Sequence, residues 1–182
     1  PASVGNLVVV DIAPVPYADR FTPYVEAMRS IDAAATASRT EAQRRLAERL
    51  GADTAQAERA AQLAKADLNT GMVAEFPELQ GIMGAYYAQA DGEDPQVVRA
   101  LRDQYRIRLD EPIAAGTLTA AILFMAERAE TLVGIWGIGL APTGERDPYA
   151  LRRAALGLIS AVEQLAAGGY VPVPDDGRLT LD

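Results

Sequence analysis

Only one stretch of this chain reads as a β-strand. It is LVVVDIA, residues 7–13, β-branched and almost continuously apolar, and closed by Pro14 and Pro16. Such a run fits a strand buried on both faces. A strand needs neighbours, because buried backbone N–H and C=O groups left unpaired are costly. No second strong strand follows, so the chain must build its core from helices. The expected fold class is therefore mainly α, with one N-terminal strand-like segment. That segment is expected to lie extended without a true ladder, or to pair only with the tail near Tyr170–Val173.

After Pro23 the apolar residues recur every three or four positions, the helix period. Tyr24, Met28 and Ile31 mark one helix, and residues 39–50 a second, stopped by Gly51. Asp53 or Thr54 can cap a third, with Gln56 placed to close a capping box, and that helix is expected to run through ERAAQLAKADL. Asp94–Pro95 and Asp147–Pro148 each place a cap residue before a proline at a first helical position. The first opens a helix carrying Val98, Leu101 and Tyr105. The second opens one with a stripe of Leu151, Ala155, Leu158, Val162 and Leu165, ended by Gly168–Gly169. Between them a helix from about Thr117 presents Leu118, Ile122, Met125, Leu132 and Trp136 on one face.

The segment KADLNTGMVAEFPELQGIMGAYYA, residues 65–88, combines helix-phased apolar positions (Leu68, Met72, Phe76, Leu79, Met83, Tyr86) with a breaker, Pro77. Proline is tolerated at a first helical position but not inside a helix. Two helices meeting at a corner near Glu75–Pro77, with Phe76 buried at the joint, reconcile these features. Gly81 and Gly84, three apart, would let another element approach closely.

Composition narrows the chemistry. The 182 residues contain no cysteine and no histidine. This removes thiolate sites, disulfides, Ser-His-Asp and Cys-His catalysis and histidine metal ligands. A net charge of -8 argues against a dominant basic surface, though not against a local patch. The longest apolar runs, LVVV and AAILFMA, are too short to cross a bilayer. No secretory signal opens the chain, and its first residue is Pro, which reads as a fragment or a trimmed chain.

Four groups of residues are candidates for function. Glu75 and Glu78 could act as acid and base or hold a hard cation, but both flank a helix start, where the dipole favours carboxylates. Asp91, Glu93 and Asp94 read as a capping turn. GIWGIGLAPTG, residues 134–144, has no Walker lysine and reads as a turn between helices. Among the cations, Arg99, Arg102 and Arg106 form either a phosphate-facing stripe or a solvated face paired with carboxylates. Arg146, Arg152 and Arg153 cluster at the start of the last helix, and Lys65 is the only lysine. These last four are the candidate contacts for an anionic partner.

The runs KADLNTGMVAEFPELQGIMGAYYAQADGEDP and ETLVGIWGIGLAPTGERDPYALRRAALGLISAVEQLAAGG, in this order, resemble the β subunit of bacterial glycyl-tRNA synthetase. The resemblance covers about residues 39–182. Its signature positions here are Lys65, Asp67, Glu75, Phe76, Pro77, Glu78, Gln80 and Gly81. It implies a helical HD-like domain whose metal chemistry is lost, with no catalytic residue, cofactor or metal in this chain. It further implies a cytoplasmic protein and two partners: a separate α subunit, which carries the glycine and ATP chemistry, and tRNA. Glu127–Arg128 stand where many members have an aspartate-lysine pair. Residues 1–50, VGNLVVVDIAPVPY and the helix after it, instead resemble a core strand and cap helices of esterase-type α/β-hydrolases, without the G-x-S-x-G serine.

The expected organisation is therefore a hydrolase-like appendage over 1–38, a synthetase-like helical domain over 39–169 and an extended tail over 170–182. A gene fusion, an assembly artefact or a deliberate chimera could each produce such a junction. The leading expectation is a piece of a glycine-tRNA ligase β subunit that supports tRNA binding and subunit assembly and is not catalytically complete alone. The alternatives are a helical scaffold or interaction module and an inactive hydrolase-like fragment.

Overall fold

A computed structural model describes residues 39–140 and 142–172. The strand expected at Leu7–Ile12, the helix marked by Tyr24, Met28 and Ile31, and the tail beyond Pro172 lie outside the described residues. Within them the chain is mainly helical, and no strand occurs; the only β-type pairing is an isolated bridge between Thr143 and Arg146.

Helix α1 occupies residues 39–50 and ends where Gly51 turns left-handed, with φ of 68°. Helix α2 (Thr54–Leu63) starts at Asp53, whose carboxylate accepts from the Gln56 N–H at 3.1 Å. This is the cap expected from the sequence. The helix stops earlier than its apolar pattern suggests. Ala64 leaves the helical region and Lys65 adopts φ of 64°, so Ala66–Asn69 form a separate 3-10 turn. Helix α3 (Gly71–Glu75), a 3-10 turn at Pro77–Leu79 and helix α4 (Ile82–Ala90) follow. Helix α5 (Pro95–Asp103) opens as its Asp-Pro signature requires, with the Asp94 carboxylate accepting from Gln96 N–H at 2.8 Å.

Helix α6 (Leu118–Gly137) is the centre of the domain, packed on α2, α5 and α7. Every residue from Leu118 to Ala126 is buried, as for a helix surrounded on all sides. Small residues on its neighbours make this possible: Ala57 and Ala60 of α2, Ala100 of α5 and Ala161 of α7 are all fully or almost fully buried. From Glu130 onward α6 runs out of neighbours, and Trp136 is 57% exposed, so the stripe that begins with Leu118 and Ile122 leaves the core at its far end.

Helix α7 (Leu151–Ala167) lays Leu151 and Leu165 into the core and is ended by Gly168 and by Gly169 at φ of 77°. It begins three residues later than Asp147–Pro148 implies. The Asp147 carboxylate reaches forward instead, accepting from the N–H groups of Leu151 and Arg152 at 2.8 and 3.0 Å. Tyr170 and Val171 fold back onto the core, so the first residues of the expected tail are packed.

The corner at Glu75–Pro77 exists, but its packing is the reverse of the expectation. Phe76 is 46% exposed, and Leu68, Met72 and Tyr86 are also exposed. The core is filled instead by Val73, Ala85 and Ala88. The physical reason is the break at Lys65. It rotates the following elements, so a stripe continuous in sequence no longer faces one side. A Phe124→Ala substitution should accordingly cost about 3–5 kcal/mol, whereas Phe76→Ala should cost under about 1 kcal/mol. Thermal unfolding followed by far-ultraviolet circular dichroism checks both; equal losses would contradict the burial difference.

Candidate functional site

Two of the signature residues, Asp67 and Gly81, meet in a buried polar junction. Asp67 is 3% exposed, and its Oδ2 accepts from the Gly81 backbone N–H at 2.6 Å. Gly81 has φ of 79°, and a Cβ there would lie 2.7 Å from Tyr105 Cδ2. Gly84 faces the same carboxylate, since its Cβ would lie 3.2 Å from Asp67 Cγ. The two glycines thus admit α5 and the aspartate, which is the close approach their spacing suggested. The Tyr105 hydroxyl is pushed well above its ordinary range by burial, with the nearby Asp67 and Glu127 carboxylates adding to the effect.

Of the other signature positions, the Gln80 side chain meets the Tyr105 hydroxyl, and the exposed run before it lies outside the junction. Glu75, Phe76, Pro77 and Glu78 are exposed, and Gln80 is half-buried. Glu75 and Glu78 flank the 3-10 turn at Pro77–Leu79. Among the described residues no group of three or more Asp or Glu side chains is arranged to hold a metal ion. No helix among them is long and apolar enough to cross a membrane.

Lys65 is held by Glu127, Nζ to Oε1 at 2.8 Å. The next residue, Arg128, is 8% exposed and lies over the Phe124 ring, 3.2 Å from its centroid. Its guanidinium has no carboxylate partner among the described residues. It donates to the carbonyls of Gln104 (3.2 Å), Phe124 (3.1 Å) and Arg106. Burial pulls its pKa down to about 10, so it remains a cation at neutral pH. Gly157 of α7 makes room for it, since a Cβ there would sit 2.8 Å from Arg128 Nε.

Two members of the arginine stripe, Arg99 on α5 and Arg106 just after it, are paired, whereas Arg102 is exposed and forms no ion pair with a described residue. Asp103 takes both Arg99 (3.6 Å) and Arg106 (2.8 Å), and Asp110 takes Arg106 again at 2.6 Å. The cluster at the start of α7 differs. Arg152 is tied to the Gly144 carbonyl, while Arg146 and Arg153 are exposed and form no ion pair with a described residue. The helix dipole there is already answered by Asp147. Burial alone would raise its carboxyl pKa, but the Arg152 and Leu151 N–H donors and the nearby Arg152 and Arg153 hold it below its ordinary value. An anion at this end must therefore be met by side chains, not by the helix terminus.

A cleft of about 240 Å³ connects the two halves of this arrangement. It lies between the end of α5, the middle of α6 and the start of α7, and is lined by Tyr105, Glu127, Arg128, Tyr149 and Arg153 among others. Of the four candidate tRNA contacts only Arg153 lines it; Lys65 meets it through Glu127, and Arg146 and Arg152 lie outside its walls, while Arg106 of the arginine stripe lines it already paired with Asp103 and Asp110. Tyr149 was missed by sequence reasoning. Its signal was an aromatic residue three and four positions before the Arg152–Arg153 pair.

A family model described as the glycyl-tRNA synthetase beta subunit matches residues 31–167. The chain belongs to this family. It is similar to the glycine–tRNA ligase beta subunit of Ralstonia nicotianae, 60% identical over 114 residues, which cover 63% of this chain and 16% of that protein. The corresponding protein of Neisseria gonorrhoeae is 56% identical over 119 residues, covering 65% and 17%. That of Chromohalobacter salexigens is 53% identical over 115 residues, covering 63% and 17%. In each case the matched part is about a sixth of the relative. The match from residue 31 begins inside the segment assigned to the hydrolase-like appendage.

Gly81 offers a direct test of the junction. Gly81→Ala should destabilise by about 1–3 kcal/mol from its left-handed backbone alone, with the Tyr105 clash added. Gly92 has the same φ of 79° and open space around it, so Gly92→Ala isolates the backbone contribution. Chemical denaturation of both variants should show the larger loss at Gly81; equal losses would remove the close contact from the account.

Proposed function

We propose that this chain is a helical piece of a glycyl-tRNA synthetase β subunit and that its share of the work is to hold tRNA. Glycine activation and ATP use belong to other parts of the assembled synthetase, chiefly a separate α subunit, with which the complete β subunit pairs in the cytoplasm. The observation that carries the tRNA reading is Arg153, a cation without an ion pair on the rim of a cleft that also carries an exposed tyrosine. Arg146 lies close by in sequence, in the turn bridged by Thr143 and Arg146, and supports the same face.

A second reading, a helical scaffold, is favoured by the remaining cations. Arg44 is taken up by Glu41 and Glu48, Arg59 by Glu93, and Lys65 by Glu127. A scaffold would use its arginines this way; Arg146 and Arg153 depart from that pattern, as do the exposed Arg49 and Arg102, which form no ion pair with a described residue.

The test is a fluorescence anisotropy titration of tRNA at two salt concentrations. Binding should be weak and should fall steeply with salt, because the net charge is negative and a few arginines carry the contact. Arg153→Ala should reduce the log–log salt slope by about 0.7–0.9, the contribution of one neutralised phosphate. The Arg152→Ala, Arg153→Ala double variant should lose little more, since Arg152 is held by its own loop. Unchanged binding in the double variant would remove these residues, and no binding by the wild type at low salt would favour the scaffold.

A further inference from the structure

The cleft between α5, α6 and α7 departs from the rest of the chain in charge. Its charged lining is Arg106, Arg128 and Arg153 against Glu127 alone. Asp103 and Asp110 answer Arg106, and Lys65 answers Glu127. Arg128 and Arg153 remain, neither with a carboxylate partner among the described residues. A chain with a net charge of -8 thus carries a local positive field at this place.

Two apolar surfaces share the same cleft. Ile107 is 67% exposed and Tyr149 is 46% exposed, and both line it. Tyr149 is separated from α7 by Ala150, a non-glycine residue with φ of 56°. A left-handed alanine is sparsely populated and persists only where its surroundings hold it. It carries the tyrosine on the loop and not on the helix.

A fitting ligand is therefore anionic and also offers an apolar face. A nucleic acid with an unpaired base meets both demands, and so does a peptide ending in a hydrophobic residue. Terminal carboxylates are captured by converging backbone N–H groups. Here the N–H groups of Leu151 and Arg152 at the start of α7 already donate to Asp147. Arginine side chains meet a phosphate without such help. A double helix hides its base faces, so its phosphates would leave Ile107 and Tyr149 uncovered. The volume, about 240 Å³, is below the roughly 300–1,000 Å³ of ordinary ligand pockets and admits one base, not a stem.

We propose that the cleft takes an unpaired nucleotide of an RNA strand, whatever its base: Arg153 meets the phosphate, and the base lies on Tyr149 with Ile107 completing the apolar contact. Stacking is indifferent to base identity, because every base has a π-face. The proposal rests on the tRNA reading above and narrows it to a single-stranded part of the molecule.

The experiment measures fluorescence anisotropy at low salt with the 182-residue chain and four labelled probes. These are a short RNA strand of mixed sequence, the same strand annealed to its complement, the same strand made abasic throughout, and intact tRNA. The single strand should bind at least about fivefold more tightly than the duplex or the abasic strand, the low end of one base–aromatic stack. Tyr149→Ala should erase that margin and leave duplex binding unchanged, and Tyr149→Phe should keep it. Arg153→Ala should weaken every probe, whereas Arg45→Ala, in α1 and outside the cleft, should leave the margin unchanged. Equal binding of strand, duplex and abasic strand by the wild type would overturn the proposal without recourse to any variant. A margin indifferent to Tyr149→Ala would do the same. In either case tRNA binding that is lost in Arg153→Ala would still uphold the broader reading. A single-strand margin without tRNA binding would uphold the cleft and remove tRNA as its source. Displacement of the strand by AMP at concentrations similar to its own would overturn the strand in favour of free nucleotides. Displacement by a leucine-terminated peptide, and not by its C-terminal amide, would overturn it in favour of a peptide carboxylate.

Discussion

The packing of α5, α6 and α7 depends on one buried cation. Arg128 projects from α6, caps the carbonyls of Gln104 and Arg106 at the end of α5, and lies in a gap opened by Gly157 of α7. A buried guanidinium without a carboxylate is tolerable because its planar fork meets several carbonyls at once and an aromatic ring covers its face. The same placement ends α5: after Asp103 the chain leaves the helix, and its freed carbonyls would otherwise be unpaired. Lysine could not reproduce this, having one nitrogen where arginine has three. Because Glu127 is adjacent, the residue that fixes the helices also fixes the direction in which the Lys65 partner points.

Much of this architecture was legible in the sequence where local chemistry decides the outcome. Asp53, Asp94, Gly51 and Gly168–Gly169 act at the helix ends where they were expected, because a cap needs only its own few neighbours. The first half of the α6 stripe and the Leu151–Leu165 stripe were readable because long helices average over local irregularity, whereas Leu132 and Trp136 lie beyond the buried part of α6. The segment from Lys65 to Tyr86 was misread for the opposite reason. One residue at positive φ breaks the phase, and a lysine gives no advance notice of such a conformation, unlike a glycine. The Asp147–Pro148 start was misplaced by three residues since a carboxylate can reach a helix from further back than the usual cap position.

The site divides in the same way. The Arg146–Arg152–Arg153 cluster is adjacent in sequence and was found there. That Arg152 is bound to Gly144 depends on the path of the loop, which spacing alone does not encode; the pairing of Arg99 and Arg106 with Asp103 and Asp110 joins residues three or four apart and matches the carboxylate-paired reading of that stripe. Lys65 was grouped with those arginines as a candidate contact; it pairs with Glu127 and does not line the cleft. The signature run divides too: Asp67 and Gly81 serve the interior, and Glu75 to Glu78 lie on the outside. A shared motif thus covers two different physical tasks, one of packing and one of surface presentation.

The exposed end of α6 has a practical consequence. The chain has a single tryptophan, and it sits in that last, unsupported stretch, more than half open to solvent. Its indole is already in water before unfolding begins. Intrinsic tryptophan emission will therefore be red-shifted in the native state and nearly silent when the interior around Phe124 comes apart. The seven tyrosines and the backbone, not the tryptophan, are the optical reporters of this fold. The indole serves better as a local probe of whatever approaches the outer end of the helix.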